Sequence, residues 1–208
     1  MRLSKIEFFV MNNPVRKFMQ KHLEFRIFKQ LLKKHKINLI GKVILDAGCG
    51  SGYSSELLLK EFRPSQLTAF DFMPEQIDLA KKRGLSVDFF VGDVTKIELP
   101  DNAFDAVFIF GVLHHVPEWR NALYEVARVL KQKGVLLIEE PNKHGVALFD
   151  RLGFIHPKES QFNWPEFEDG LKMAGFEVLE KKNILTEKFK SFLCMNIVPT
   201  AYNAILLI

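Results

Sequence analysis

Cysteine, tyrosine and tryptophan are scarce in this sequence of 208 residues, which contains 2 Cys, 3 Tyr and 2 Trp. Two cysteines, Cys49 and Cys194, cannot form the framework of several disulfides that stabilises small secreted domains. We therefore expect a protein of a reducing compartment, the cytoplasm. The chain also lacks an apolar run of about 18 residues, which a membrane-spanning helix would need.

The sequence also lacks a phosphate-binding loop, a complete dinucleotide-binding motif and a recognisable metal-binding motif. The chain has no G-x-x-x-x-G-K-[ST] loop, and its glycine-rich stretch fails to complete G-x-G-x-x-G because Tyr53 occupies the third small position. Adjacent histidines, here His114 and His115, are expected to point in different directions, and His144 and His156 are far apart in sequence. We therefore expect no bound metal.

Positive charge is concentrated at the start of the chain. Residues 1–42 contain 11 Lys and Arg against two acids, whereas the remainder contains 18 basic and 23 acidic residues. A basic segment of this kind can attract anionic lipid, nucleic acid or an acidic substrate. A solvated helix face would give the same composition, so the charge alone does not choose between these roles.

The same segment has the pattern of an amphipathic helix. Asn13-Pro14 is a typical helix start, and apolar residues then recur at helical spacing for about 20 residues; they include Val15, Phe18, Met19, Phe25, Phe28, Leu31 and Leu32. We therefore expect residues 1–41 to form a basic helical extension. The pattern fits a helix that packs on the main domain, and it equally fits peripheral membrane contact through residues 14–36.

From residue 42 onwards, short apolar runs alternate with helical patterns. Strands that are apolar throughout and are separated by helices are typical of a doubly wound, mostly parallel α/β sheet. We expect one globular unit over residues 42–208. The predicted strands are Val43–Leu45, Leu67–Phe70, Val87–Val91, Ala106–Phe110, Gly134–Glu139, Phe176–Leu179 and Ser191–Val198.

A glycine-rich loop follows the first predicted strand. Gly48, Gly50 and Gly52 permit positive φ and a close approach of a ligand to the backbone, although a tight turn without ligand would need them too. Asp46 stands directly before the loop and would repel a pyrophosphate at the following helix N-terminus. A cationic adenosine ligand without phosphate, S-adenosylmethionine (SAM), suits this loop better than a dinucleotide.

Acidic residues at the ends of the next two strands also suit an adenosine. Asp71 can accept hydrogen bonds from both ribose hydroxyls, and Phe72 and Met73 offer apolar surface to an adenine. Asp93 could accept the adenine amino group beside Val94. A turn or a helix cap is the alternative role for Asp93.

These segments together resemble the class I SAM-dependent methyltransferases. Residues 43–52, 67–77, 91–94, 104–107 and 113–116 are similar to successive motifs of that family, and residues 123–131 are characteristic of its type 11 subgroup, which includes ubiquinone/menaquinone-type enzymes. The resemblance implies a Rossmann-like sheet of seven strands in the order 3-2-1-4-5-7-6. Residues 131–134, Lys-Gln-Lys-Gly, depart from the usual Lys-Pro-Gly-Gly, which affects only a turn.

The resemblance also implies a cofactor site and a product. SAM is converted to S-adenosylhomocysteine. The residues predicted to bind SAM are Asp46, Ala47, Gly48, Cys49, Gly50, Gly52, Asp71, Phe72, Met73, Asp93, Val94 and Phe110.

The residues that would handle the methyl acceptor are less well defined. His114 and His115 follow the fourth strand and are candidates for orienting the acceptor or acting as a base. Tyr53, Glu140 and Trp164 are further candidates for acceptor contacts, the last as part of a predicted lid over residues 156–164. Structural roles in loops and at the surface are the alternatives for these residues.

The sequence therefore predicts an enzyme that methylates a small or lipid-like molecule. A catalytically silent SAM-binding subunit is an alternative, as is a nucleic-acid methyltransferase that uses the basic helix. The latter is not favoured, because no motif for a nucleic-acid acceptor accompanies the fold. The missing third small residue and Asp46 disfavour a dinucleotide oxidoreductase.

Overall fold

A single seven-stranded sheet organises the computed structural model, which describes residues 8, 10, 12–151, 153–154 and 156–198. The strand order is β3-β2-β1-β4-β5-β7-β6, and β7 runs antiparallel to both of its neighbours. This confirms the predicted sheet. The strands are β1 (Val43–Ala47), β2 (Gln66–Asp71), β3 (Asp88–Val91), β4 (Phe104–Phe110), β5 (Leu130–Pro141), β6 (Phe176–Ile184) and β7 (Thr186–Asn196).

Helices cover both faces of this sheet. They are α1 (Pro14–Met19), α2 (Phe25–Lys34), α3 (Tyr53–Phe62), α4 (Pro74–Lys81), α5 (Trp119–Val129), α6 (Lys143–Asp150) and α7 (Trp164–Met173), and the 3-10 turns are Leu113–His115 and Lys158–Ser160. The sequence patterns missed α6, whose start is capped by the Asn142 side chain. Among the described residues, no helix combines the length and apolarity needed to cross a membrane.

The helix before β1 is continuous but irregular. Asn13 caps α1, and a π-helical turn (Gln20–Glu24) joins α1 to α2. A π turn holds an extra residue, so it rotates the faces of the two segments relative to each other. Phe25 and Phe28 of α2 are consequently buried, whereas Val15 and Phe18 of α1 are 66% and 62% exposed. The expected single apolar face is therefore divided into a packed half and an exposed half.

The packed half of this helix belongs to the core of the domain. The Phe28 ring lies 5.9 Å from the Phe108 ring and 5.0 Å from the Phe110 ring of β4, between ring centroids. The extension predicted over residues 1–41 thus contributes α2 to one face of the sheet. Residues 1–7, 9, 11, 152, 155 and 199–208 of the two predicted parts lie outside the described residues.

Candidate active site

A cavity of about 230 Å³ opens beyond the carboxyl ends of β1, β2 and β4, beside the glycine loop. We call it the loop cavity. Doubly wound sheets bind their ligands at this edge. Nine of the predicted cofactor residues line it: Gly48, Cys49, Gly50, Asp71, Phe72, Met73, Asp93, Val94 and Phe110. The other three, Asp46, Ala47 and Gly52, are not part of the lining and support the loop from behind.

Two glycines of the loop are required for different reasons. Gly48 has a φ of 79°, and a Cβ there would lie 2.3 Å from a methyl group of Val112. Gly50 has a φ of 51°, and a Cβ there would meet no atom within 4 Å. The backbone at Gly50 therefore borders open space, which allows a ligand to approach it closely.

The carboxylate of Asp71 is fixed in the wall of the loop cavity by the loop itself. It accepts hydrogen bonds from the backbone N–H groups of Gly50 and Met73, each at 2.9 Å. Burial raises the pKa of Asp71. A carboxylate held in this way fits a ribose diol, whose two hydroxyls would donate to its remaining lone pairs.

Asp93 has the turn role that the sequence offered as an alternative, and its contact with an adenine stays a prediction. It lines the loop cavity, and its Oδ1 accepts hydrogen bonds from the Thr95 backbone N–H (2.8 Å) and hydroxyl (2.7 Å). The turn after β3 is thereby held in place beside Val94.

Asp46 lies beneath the loop and is fully buried. Its Oδ2 accepts hydrogen bonds from the hydroxyls of Ser54 and Ser55, each at 2.6 Å, while its Oδ1 has no partner among the described residues. Burial raises the pKa of Asp46 to about 6. Together with Asp71, this carboxyl group makes the loop suited to a positively charged ligand rather than to a pyrophosphate.

The segment before the sheet completes the loop cavity with residues that sequence reasoning missed. Asn12, Arg16, Lys17 and Gln20 all line it. The basic character of this segment was visible in the sequence, but its position over the loop was not. Arg16 and Lys17 add positive charge to a wall that also contains the carboxylates of Asp71 and Asp93, which suits a zwitterionic amino-acid group such as that of SAM.

Tyr53, predicted as a candidate for acceptor contacts, lines the loop cavity. The Lys17 Nζ lies 5.9 Å from the centroid of its ring, and the Arg83 guanidinium lies 5.6 Å from it. Two cations therefore lie close to this ring.

A second cavity of about 280 Å³ adjoins the first. We call it the apolar cavity, because most of its wall consists of hydrophobic side chains, among them Val15, Met19, Leu23, Phe149, Ile184 and Phe189. Arg16, Gly111 and His115 line both cavities. These three residues therefore mark the boundary where a ligand in one cavity would meet a ligand in the other.

Three histidines meet at the apolar cavity, which corrects the expectation that they are dispersed. His114, His115 and His156 each offer a ring nitrogen, and these nitrogens lie within 4.8 Å of one another. The 3-10 turn Leu113–His115 places the adjacent rings side by side, and the chain after α6 returns His156 to them. His144 lies apart on α6 and is exposed.

Glu140 stabilises the 3-10 turn Leu113–His115 and lines neither cavity. It accepts hydrogen bonds from the backbone N–H groups of Val112 (2.8 Å) and Leu113 (2.7 Å), and its Oε2 lies 2.8 Å from the Nδ1 of His114. Burial lowers the pKa of His114 to about 3, so this contact is a hydrogen bond of a neutral imidazole. The predicted contact of Glu140 with an acceptor is not supported, because its oxygens are already engaged. The neighbouring Glu139 lines the apolar cavity instead.

Trp164 likewise lies outside the lining of both cavities. Its indole N–H donates a hydrogen bond of 2.7 Å to the Glu187 carbonyl, and its ring lies between Phe162, Phe167 and Phe192. The predicted lid role is not supported for Trp164, because its ring is taken up by contacts with these aromatic side chains. Within the predicted lid, His156 does reach the apolar cavity.

Known proteins share both the sequence motifs and the fold. Residues 45–138 match the family Methyltransf_11, described as a methyltransferase domain. A malonyl-[acyl-carrier protein] O-methyltransferase from Serratia marcescens is 36% identical over 97 residues, 47% of this chain and 37% of that protein. A fatty-acid O-methyltransferase from Mycolicibacterium smegmatis is 29% identical over 146 residues, 69% of this chain and 47% of that protein. The chain thus spans less than half the length of these two relatives.

A solved structure extends the fold comparison beyond the matched segment. A SAM-dependent methyltransferase from Aquifex aeolicus superposes with a TM-score of 0.71 at 21% identity, covering 94% of this chain and all of that one. The sheet order and the family match together identify residues 45–138 as part of a Rossmann-like methyltransferase fold. Residues 45–138 form a class I SAM-dependent methyltransferase domain of type 11.

Proposed function

We propose that this protein transfers a methyl group from SAM to an oxygen atom of a small, lipid-like acceptor. The observation that carries the proposal is the junction between the two cavities, where Arg16, Gly111 and His115 belong to both walls. Methyl transfer needs donor and acceptor to be aligned at such a boundary, since orientation supplies much of the rate enhancement.

The residues of the loop cavity would bind and orient the cofactor. Asp71 holds the ribose, Gly50 allows the backbone to approach, and Asp46 with Asp71 favours positive charge. When bound, SAM supplies a methyl group on a positively charged sulfur that leaves as a neutral thioether. The protein therefore needs to exclude water and align the acceptor, which its apolar wall and the shared residues can do.

The apolar cavity supports a lipid-like acceptor. Ligand pockets of this kind bind a hydrophobic body through their walls and fix its orientation with a few polar groups. Arg16, His115 and His156 are such groups here. The two relatives described above are named as O-methyltransferases, one of them of fatty acids, which agrees with an oxygen acceptor at the end of an apolar chain.

The acceptor oxygen would enter already deprotonated, as a carboxylate. Burial lowers the pKa of His115 well below its usual value, so this ring is a weak base at neutral pH. A carboxylate needs no base, and it could be oriented by the Arg16 guanidinium, which also contacts Glu24 at 2.6 Å.

Peripheral membrane contact is part of the same proposal. Val15, Phe18 and Leu185 are 66%, 62% and 77% exposed, and Val15 and Leu185 also line the apolar cavity. Exposed apolar side chains within a basic segment suit an anionic membrane surface. A cytoplasmic protein resting on a membrane in this way could take a lipid-like acceptor from it.

The test is a methyl-transfer assay with SAM labelled in its methyl group. Purified protein is incubated with straight-chain fatty acids, the matching fatty alcohols and amines, and bulk RNA. Labelled methyl esters of the acids are the expected product. SAM binding by calorimetry without transfer to any acceptor would favour the silent subunit, and labelled RNA would favour a nucleic-acid methyltransferase.

A further inference from the structure

We propose that His114, His115 and His156 form a binding site for a divalent transition metal, Zn²⁺ or a close relative, in the wall of the apolar cavity. Three imidazoles with a fourth position open are a ligand set that Zn²⁺ and similar first-row metals accept. Methyl transfer in this family requires no metal, so this site would be an addition to the methyltransferase fold.

The geometry brings the three rings to one point. Their candidate ligand nitrogens lie within 4.8 Å of one another. In a tetrahedral zinc site with Zn–N bonds of about 2.0–2.1 Å, the nitrogens lie about 3.3 Å apart. The ring centroids now lie 4.1–5.3 Å apart, so the rings must turn relative to one another to close that difference. No hydrogen bond opposes such a turn at the buried Nδ1 of His115, which has no partner among the described residues.

Carboxylates contact the Nδ1 atoms of two of the rings, as they commonly do in metal-binding histidines. Glu140 contacts the Nδ1 of His114 at 2.8 Å, and Asp150 contacts the Nδ1 of His156 at 2.5 Å. A carboxylate on Nδ1 fixes the tautomer, directs Nε2 to the metal and raises its basicity. Neither carboxylate lines the cavity, so both are placed to orient the rings rather than to bind a ligand.

The charges around the cluster favour a cation. Glu24, Glu139 and Glu140 are all buried nearby, while Arg16 is paired with Glu24. A divalent cation bound by the three histidines would be attracted to these carboxyl groups.

A metal held here would have its remaining position directed toward the apolar cavity, since all three histidines line it. The ligand for that position would be an oxygen atom, such as a carboxylate oxygen of a molecule bound in the cavity. This last step depends on the proposed function, whereas metal binding by the three histidines does not.

The test measures metal binding by the full chain without SAM or acceptor. The protein is treated with a chelator, dialysed and titrated with Zn²⁺ by calorimetry and with Co²⁺ by visible absorption. We expect one equivalent to bind and Co²⁺ to show the intense ligand-field bands of a tetrahedral site. Weak, non-stoichiometric binding would overturn the proposal.

Variants assign the site to these histidines. Asp150→Asn should weaken Zn²⁺ binding roughly 10–100-fold, since it removes only the group behind His156, and His156→Ala should weaken it further. His144→Ala, at an exposed histidine outside the cluster, is the matched control and should bind as the parent does. Equal binding by His156→Ala, Asp150→Asn and the parent would contradict the assignment, whatever the outcome of the methyl-transfer assay.

Discussion

The loop cavity and the apolar cavity share a boundary but are built in different ways. The loop cavity consists largely of backbone turns at the ends of β1, β2 and β3, supported by the carboxylates of Asp46 and Asp71. The apolar cavity consists of side chains from α1, α6 and the β6–β7 turn. The loop cavity is thus fixed by backbone geometry, whereas the apolar cavity, the proposed acceptor site, can change by side-chain substitution while the loop cavity stays intact.

The largest expected effect is at the loop cavity. Asp71→Ala removes the acceptor of two hydrogen bonds from ribose hydroxyls, each worth about 2 kcal/mol to a charged group, so SAM affinity should fall roughly 1,000-fold. Calorimetry with SAM measures this. Asp88→Ala, at an exposed aspartate on the neighbouring β3, is the control. If both variants bind SAM equally well, Asp71 does not hold the ribose.

Asp46 gives a pH dependence of stability. Its pKa is about 6 in the folded state, against an ordinary value of 3.8. The folded protein therefore binds more protons between these values, and this group lowers stability as pH rises from 4 to 6, by up to about 3 kcal/mol. Urea unfolding at several pH values should show a steeper decline in the parent than in Asp46→Asn, where the other buried carboxyl groups still contribute. Parallel curves for the two proteins would refute the assignment.

A third substitution separates the cavities from each other. Phe149→Ala removes an aromatic side chain from the apolar cavity, and the lost burial of about 1.5–3 kcal/mol should raise the KM for a fatty-acid acceptor roughly 10- to 150-fold, with SAM affinity unchanged. Trp164→Ala removes an aromatic side chain outside both cavities and should leave both constants near the parent value in the folded fraction. Loss of SAM affinity in Phe149→Ala would show that the cavities are not independent.

The smallest effect concerns the exposed half of the first helix. Phe18→Ser and Lys21→Gln should each weaken binding to phosphatidylserine-containing vesicles several-fold, because a lysine near an anionic surface contributes about 1 kcal/mol. Co-sedimentation measures the binding. Met173→Ser, at a residue 67% exposed on α7, is the control. Equal sedimentation of all variants would argue against membrane contact through α1.

The same comparison explains which parts of the site could be predicted from the sequence. The loop cavity depends on glycines and acids that follow strands in a fixed order, so local patterns identify Gly48, Gly50, Asp71 and Asp93. The apolar cavity depends on side chains that are distant in sequence, such as Met19 and Phe189. No local sequence pattern indicates that these side chains come together in the fold.

The histidine cluster was missed by sequence reasoning, whereas the predicted role of Trp164 is not supported by the structure. His114 and His156 are 42 residues apart, and only the return of the chain after α6 joins them. Trp164 is a residue type expected of a ligand contact, yet its partly buried ring packs against neighbouring aromatic side chains. In both cases the outcome is decided by tertiary contacts, which residue type and spacing do not encode.

The π turn at residues 20–24 has a consequence for how this protein tolerates changes in chain length. Deleting one residue there would restore a regular helix and rotate everything before it by about 100°. The core helix would stay in place, but Arg16 would swing away from the boundary between the cavities. A one-residue deletion at this position would thus alter the boundary between the cavities, and we expect it to change affinity for the proposed acceptor before it changes folding.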